Sequence, residues 1–195
     1  MASGRAVDEG DTASRILDSA ESLVQVRGFN GFSYADVAAE VGVTKASLHY
    51  HFPGKAVLGK RLIERYERNF LQALAAIDRS GSDSRRKLRR YAALYADVLR
   101  DNRMCLCGML AAEFATLPKA MRENMKHFFD ENERWLIAVL EQGRGAKQLK
   151  FTGAAREVAR ALVGSLEGAM MLARSYGEVS RFQVVADRLF AELSA

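Results

Sequence analysis

Between Ser33 and Lys55 the chain sets helix-boundary signals unusually close together: Ser33 with Asp36 three positions on, then Gly42, then Thr44, within the run Ser-Tyr-Ala-Asp-Val-Ala-Ala-Glu-Val-Gly-Val-Thr-Lys-Ala-Ser-Leu-His-Tyr-His-Phe-Pro-Gly-Lys. Such punctuation leaves room for two short helices packed across a tight turn. The Ser33 hydroxyl caps the first helix while Asp36 reaches back to the same turn, a carboxylate version of the capping box. Val37, Ala38 and Val41 then share one face, and Ala38 is small enough for a second helix to cross closely. Gly42 ends the helix in a left-handed conformation that costs glycine nothing, and Val43 turns back into the small core. Thr44 caps the second helix, which carries Leu48 and Phe52 inward and leaves Lys45, Ala46, Ser47, His49 and Tyr50 on its outward side.

A DNA major groove admits such a helix with its N-terminal end first. Free backbone donors at the helix start and the charge of Lys45 favour phosphate, and Ser47, His49 and Tyr50 offer neutral hydrogen bonds. The outward set holds no Arg, Asn or Gln for a bidentate base contact, so base reading falls to Lys45, Ser47 and the methyl of Ala46.

The rest of the composition suits a water-soluble regulator. The 195 residues are 49% hydrophobic, enough for a real core, and the net charge of +5 with a pI near 9.4 is compatible with nucleic acid without selecting it over RNA or membrane. No apolar run approaches the roughly 20 residues that span a bilayer, and Asp8, Glu9 and Asp11 make the N-terminus unlike a secretory signal, so no membrane partner and a cytoplasmic location are expected. Cys105 and Cys107, the two cysteines, agree with a reducing compartment.

Two prolines, no β-rich alternating segment and long 3.6-residue periodicity argue for an all-α protein of about nine helices. The first is expected over about residues 12–27, with Ile16, Ala20, Leu23 and Val24 buried and Gly28 as its stop, after a flexible arm at 1–11. A fourth helix runs from near Gly54 to about Ile77, roughly 35 Å. A turn at Ser80-Gly81-Ser82 sends a fifth back over about 83–101. Later helices are expected at about 104–115, 118–142, 152–176 with Thr152 as cap, and 180–193. The basic cluster Arg85, Arg86, Lys87, Arg89 and Arg90 would lie at the far end of the fourth helix and is read as a solvated face.

The segment Ala46-Ser47-Leu48-His49-Tyr50-His51-Phe52-Pro53-Gly54-Lys55, preceded by Gly-Phe-Asn-Gly-Phe-Ser at 28–33, resembles the N-terminal domain of TetR/AcrR-type transcriptional repressors over about residues 12–60. The resemblance implies a three-helix helix-turn-helix DNA-binding domain at 12–53, a variable helical domain at 54–195 that binds a small effector and dimerises, and no cofactor. It implies Thr44, Lys45, Ala46, Ser47, His49, Tyr50 and Lys55 as the groove and phosphate set, with Ser33 and Tyr34 as backbone contacts. Where the family most often has Tyr after the equivalent of Leu48, this chain has His49 with Tyr50 beside it.

The C-terminal region is read on its own residues. Met121, Met125, Phe128, Asn132, Trp135 and Val139 recur at three- and four-residue spacing, either an ordinary core stripe with Asn132 at its margin or the lining of a cavity in which Asn132 orients a ligand. Glu113 has the same two readings. Cys107, Glu113, Phe114, Met125, Phe128, Asn132, Trp135 and Met170 form the candidate effector set. Ala161, Gly164, Ser165, Gly168 and Met171, together with Phe182, Val185 and Leu189, form the candidate dimer face, whose small residues permit close helix approach; the alternative is packing within one chain. Cys105 and Cys107 project to nearly opposite sides of a helix, so neither a mutual disulfide nor a metal site is expected; they are packing residues or a sensor of oxidants and electrophiles. The chain contains no phosphate-cradling glycine loop and no zinc-binding helix motif. The sequence therefore predicts a dimeric repressor, released from a palindromic double-stranded operator by a small molecule, rather than an enzyme or a ligand carrier; an activator of the same fold is the alternative.

Overall fold

A computed structural model describes residues 9–193, with side chains from Asp11 onward. Among these residues it contains nine α-helices and no strand: α1 Glu9–Arg27, α2 Tyr34–Val41, α3 Lys45–His51, α4 Lys55–Arg79, α5 Ser84–Arg100, α6 Leu106–Ala112, α7 Lys119–Gly145, α8 Ala155–Tyr176 and α9 Val179–Glu192, with a 3-10 turn at Phe114–Thr116. Helix α1 begins three residues ahead of the expected Thr12, and residues 1–8 of the expected arm lie outside the described residues.

The first three helices close over one end of a continuous core. Ile16, Ala20, Leu23 and Val24 of α1 meet Val37, Ala38 and Val41 of α2 and Leu48 of α3, all buried. Fully removing the Ile, Leu and Val side chains among them from water stabilises the unit by about 1.5–3 kcal/mol each. Phe29 and Phe32 close its open end edge to face, with ring centroids 6.0 Å apart. Gly28 stops α1 in the left-handed region at φ +81°, and a Cβ there would stand 2.9 Å from a Glu113 oxygen, so both backbone and neighbour require glycine.

Helices α4 to α9 surround the larger part of the same core. Asp83 caps α5 by accepting the Arg86 N–H at 2.8 Å, and α8 packs between α7 and α9 while α5 lies against α7 and α9. Tyr66 and Phe70 of α4, Tyr91 and Tyr95 of α5 and Phe128 of α7 interlock at its centre, with Phe70 within 6.4 Å, ring to ring, of each of the other four.

Three local expectations are corrected. Helix α8 is capped two residues later than Thr152, at Ala154: Gly153 turns the chain at φ +80° and the Glu157 carboxylate accepts the Ala154 N–H at 3.3 Å. Helix α6 stops at Ala112 and the chain tightens into the 3-10 turn. Lys87 does not join the solvated face with Arg85, Arg86, Arg89 and Arg90. It is buried, donating to Asp78 at 2.8 Å and to Gln142 at 3.3 Å.

Candidate nucleic-acid interface and effector region

The turn between α2 and α3 is held by the caps that the sequence specifies. The Ser33 N–H donates to Asp36 Oδ2 at 2.6 Å and the Asp36 N–H to Ser33 Oγ at 3.4 Å, the reciprocal box. The Ser33 hydroxyl beside it holds the Asp36 carboxyl below its usual range. Gly42 takes φ +74°, and its N–H and that of Val43 both donate to the Ala38 carbonyl at 3.0 Å. Thr44 Oγ1 accepts the Ser47 N–H at 3.1 Å.

With Leu48 wholly buried beneath it, α3 turns Lys45, Ala46, His49 and Tyr50 to solvent, with Thr44 exposed and Ser47 half-buried at its start. Tyr50 is 71% exposed, an uncommon position for a large aromatic side chain, with its ring 5.3 Å from that of His51, edge to face. The Tyr34 ring sits 4.8 Å from that of His49, and its hydroxyl donates to the Phe52 carbonyl at 2.9 Å; burial pushes that phenol up to about 12. Ser33, Tyr34, His49 and Lys55, with Phe32, line a shallow depression of about 320 Å³ beside the α3 face.

Lys55, expected at phosphate, is engaged inside the chain. Its ammonium donates to the Phe32 carbonyl and lies over the rings of Phe29 and Phe32, at 4.7 and 4.2 Å. Burial lowers its pKa, against the nearby charge of Glu113. Glu113 itself, named as an effector residue, reaches from the end of α6 to the loop between α1 and α2, where its carboxylate accepts the N–H groups of Phe29 at 2.5 Å and Asn30 at 3.1 Å. The Asn30 amide donates to Thr116 Oγ1 at 2.8 Å, and Arg174 of α8 donates to the Gln25 and Val26 carbonyls at the end of α1. The α1–α2 loop is thus gripped from α6 and α8, residues far away in sequence. The sequence signal for Glu113 was only its lone charge in an apolar run.

The other effector candidates are dispersed. Met125 and Phe128 fill the core of α7. Asn132 is buried with both amide atoms engaged: its oxygen accepts from the Tyr91 hydroxyl at 3.0 Å and its nitrogen donates to the Phe128 carbonyl at 2.8 Å. Trp135 stacks on Tyr91 and donates to Asp78 Oδ2 at 2.9 Å. Phe114 is exposed beneath Arg122 and Lys126. Cys105 and Cys107 are both buried, and burial pushes both thiols well above their ordinary range, which disfavours the reactive thiolate. Met170 does line a cavity, of about 180 Å³, together with Tyr66, Phe70, Leu94, Tyr95 and Cys105.

Along α8 and α9, Ala161, Gly164 and Met171 are exposed, Ser165 and Gly168 half-buried, and a Cβ added to Gly164 or Gly168 would meet nothing within 4 Å. Val185 is exposed and Leu189 half-buried beside them. Met171 and Leu172 are 53% and 62% exposed and Val184 68%. Phe182 faces the other way, buried with its ring 6.4 Å from that of Tyr95. Among the described residues no helix is long and apolar enough to cross a membrane.

Comparison with known proteins gives consistent matches along the length of the chain. Residues 16–62 match the family model described as bacterial regulatory proteins, tetR family, and residues 84–189 match the tetracyclin repressor-like C-terminal domain. The structure superposes on that of a TetR-family transcriptional regulator from Agrobacterium tumefaciens with a TM-score of 0.93, at 32% identity, over 96% of this chain and 100% of the other. The HTH-type transcriptional repressor NemR of Escherichia coli (strain K12) is 28% identical over 174 residues, 85% of either chain. The HTH-type transcriptional regulator LmrA of Bacillus subtilis (strain 168) is 26% identical over 171 residues, 84% of this chain and 86% of its own.

Proposed function

The chain belongs to the tetR family of bacterial regulatory proteins, and on that footing we propose that it is a dimeric, ligand-responsive repressor that reads a palindromic operator with α3. The observation that carries this reading is the outward row on α3: Lys45, Ala46, His49 and Tyr50 stand clear of a helix whose opposite side is locked by Leu48. Lys45 and the backbone donors of the first turn bind phosphate, while Ser47 and the Ala46 methyl meet base edges. Residues 12–53 form the DNA-binding unit and 54–195 the regulatory one.

Two chains pair through the bare small-residue face of α8 and its neighbours Val185 and Leu189 on α9, so that the two α3 helices enter successive grooves and impose two-fold symmetry on the operator. Phe182 supports that face from inside. An effector acts by preferring one spacing of the two α3 helices, and the grip of Glu113 and Arg174 on the α1–α2 loop supplies the mechanical path. Its leverage equals its difference in affinity for the two states, of order 1–3 kcal/mol in systems of this kind.

The experiment is a mobility-shift assay on genomic fragments with wild type and Lys45→Ala. Binding to one discrete palindrome, weakened by salt and by the substitution, is expected. Salt-sensitive binding without any preferred site would overturn the reading.

A further inference from the structure

Where α1 meets α4, the Arg65 guanidinium spans two acids of α1: it donates to Asp18 Oδ1 at 2.7 Å and to Glu21 Oε2 at 2.9 Å. The Arg65 and Glu21 side chains are only 15% and 19% exposed, so this clasp is shielded from solvent in a way that an ordinary surface ion pair is not. Because α2 packs on α1, the clasp is a further tie between the helix-turn-helix unit and the rest of the chain, separate from the grip of Glu113 and Arg174. Glu21 has a second role that Asp18 lacks: it forms part of the wall of the cavity of about 180 Å³ at Met170. Arg65 occupies Oε2, and an ionised carboxylate keeps further acceptor capacity at Oε1.

The buried part of the cavity wall is made by Tyr66 of α4, Tyr95 of α5, Cys105 ahead of α6 and Met170 of α8, with Phe70 and Leu94 half-buried beside them. Nearer solvent stand Glu21, half-buried, and Asn69, exposed. The Tyr95 hydroxyl is already engaged with that of Tyr91 at 2.9 Å. Glu167 of α8, an acid whose pKa burial raises to about 7, is not part of the wall. Three rings and a thioether favour a flat aromatic guest, through ring packing and sulfur contact. The volume falls below the roughly 300–1,000 Å³ of sites for drug-sized ligands, so one small substituted ring is what it holds. The outer wall decides the substituent. A carboxylate on the guest would meet Glu21 with Arg65 already shared between two acids, and an ammonium would have to leave water for apolar walls while competing with Arg65 for Glu21. A neutral hydroxyl or N–H donates to Glu21 and adds no charge to the clasp.

We propose that this cavity takes the effector as a small neutral aromatic molecule bearing one hydroxyl or N–H donor, and that Glu21 both receives that donor and passes the guest's arrival through Arg65 to the junction of α1 and α4. The inference rests on the reading of the protein as a ligand-responsive regulator. A guest bonded to Glu21 changes the hold of Arg65 on α1, and with it the preferred spacing of the two α3 helices.

The test is ligand-observed NMR titration of the full-length protein with para-cresol and with para-xylene, which has the same shape without the donor. Wild type is expected to bind para-cresol about tenfold more tightly, as a hydrogen bond to a charged acceptor allows. Glu21→Leu should bind the two probes equally, and Ala73→Trp, which fills the cavity from its wall, should bind neither, both variants being shown folded by their thermal transitions. Operator affinity is measured on the same samples. Saturating para-cresol should weaken it severalfold in wild type, and Arg65→Met should keep the preference for para-cresol while losing that effect on the operator. Equal binding of the two probes by wild type, no binding of para-cresol at millimolar concentration, a Glu21→Leu variant that retains the preference, an Ala73→Trp variant that binds as wild type does, or an operator response that is absent in wild type or undiminished in Arg65→Met would each overturn the proposal. A protein that holds a discrete palindrome but ignores para-cresol loses only this inference, whereas one that finds no palindrome loses the regulatory reading itself.

Discussion

Glu113 accepts the backbone N–H of Phe29 at 2.5 Å from across 84 positions of sequence, so the loop that aims the helix-turn-helix unit is fixed by the end of α6. The same carboxylate takes the Asn30 N–H at 3.1 Å, and the ammonium of Lys55 stands nearby over the Phe29 ring. Any displacement of α6 therefore moves the loop between α1 and α2, and with it the platform on which α3 sits.

Replacing Glu113 with Ala should cost about 1–2 kcal/mol in urea unfolding, because two N–H groups lose a charged acceptor that water only partly replaces. Amide exchange at Phe29 and Asn30 should accelerate, while that of Ser47, held by Thr44, stays as it was. Unchanged exchange at Phe29 would mean that the bond contributes nothing to holding the loop.

Lys45 and Lys55 should separate cleanly. Lys45→Ala is expected to lower the slope of log affinity against log salt by about 0.9, the signature of one lost phosphate contact. Lys55→Met should leave that slope alone and instead lower stability by roughly 1 kcal/mol, since its ammonium lies over Phe29 and Phe32 and binds the Phe32 carbonyl. A slope change for Lys55→Met equal to that of Lys45→Ala would return Lys55 to the DNA surface.

Asn132→Leu tests whether this buried amide is structural. It removes the acceptor of the Tyr91 hydroxyl, which keeps Tyr95 as a partner at 2.9 Å, so a loss of about 1–2 kcal/mol in thermal or urea unfolding is expected with no change in effector response. Loss of response in a variant of unaltered stability would move the ligand to α7.

The raised pKa of Glu167 carries a definite sign. Its folded value, about 7, lies above its ordinary 4.5, so the folded protein holds the proton more tightly and stability falls as pH rises through that window. Glu167→Gln should match wild type near the low end and become the more stable of the two toward neutral pH, by about 3 kcal/mol at most. A stability difference that does not vary with pH would show that this carboxyl is not protonated more readily in the folded chain.

Met171→Glu places a charge on the exposed face beside Gly164 and Gly168. The expected result in sedimentation is a shift from dimer to monomer at micromolar concentration with the monomer's helicity intact, since Met171 is 53% exposed within one chain. A dimer as tight as wild type would place the pairing surface elsewhere.

What could be read in the chain divides by the range of the forces involved. The capping of α2 and α3 rests on groups within four positions of each other, Ser33 with Asp36 and Thr44 with Ser47, so the sequence displays it directly. The inward placement of Leu48, Val37 and Val41 follows from period alone. Glu113, Lys55 and Lys87 were assigned from charge and neighbourhood, but their partners lie on other helices: the Phe29 amide, the Phe32 carbonyl and Asp78. Periodicity says which face a residue occupies, and nothing about who meets it there. Glu167 carries a local signal that the small-residue stripe of α8 masks, an acid with no Lys or Arg within a helical turn and apolar neighbours at Val163, Leu166, Met170 and Met171. Thr152 looked like a cap by type, but the turn at Gly153 passed the start of α8 to Ala154.

The central claim is that α3, with Lys45, Ala46, Ser47, His49 and Tyr50 outward, reads double-stranded DNA as one of a symmetric pair. Repeated selection of bound sequences from a random duplex pool, followed by footprinting of the winner, addresses it directly. The account predicts one enriched palindrome whose half-sites are protected at centres about one helical turn or more apart, with enrichment abolished in a protein carrying both Lys45→Ala and Tyr50→Ala. A pool that converges on no symmetric sequence, or a double variant that selects the same one as wild type, would contradict it.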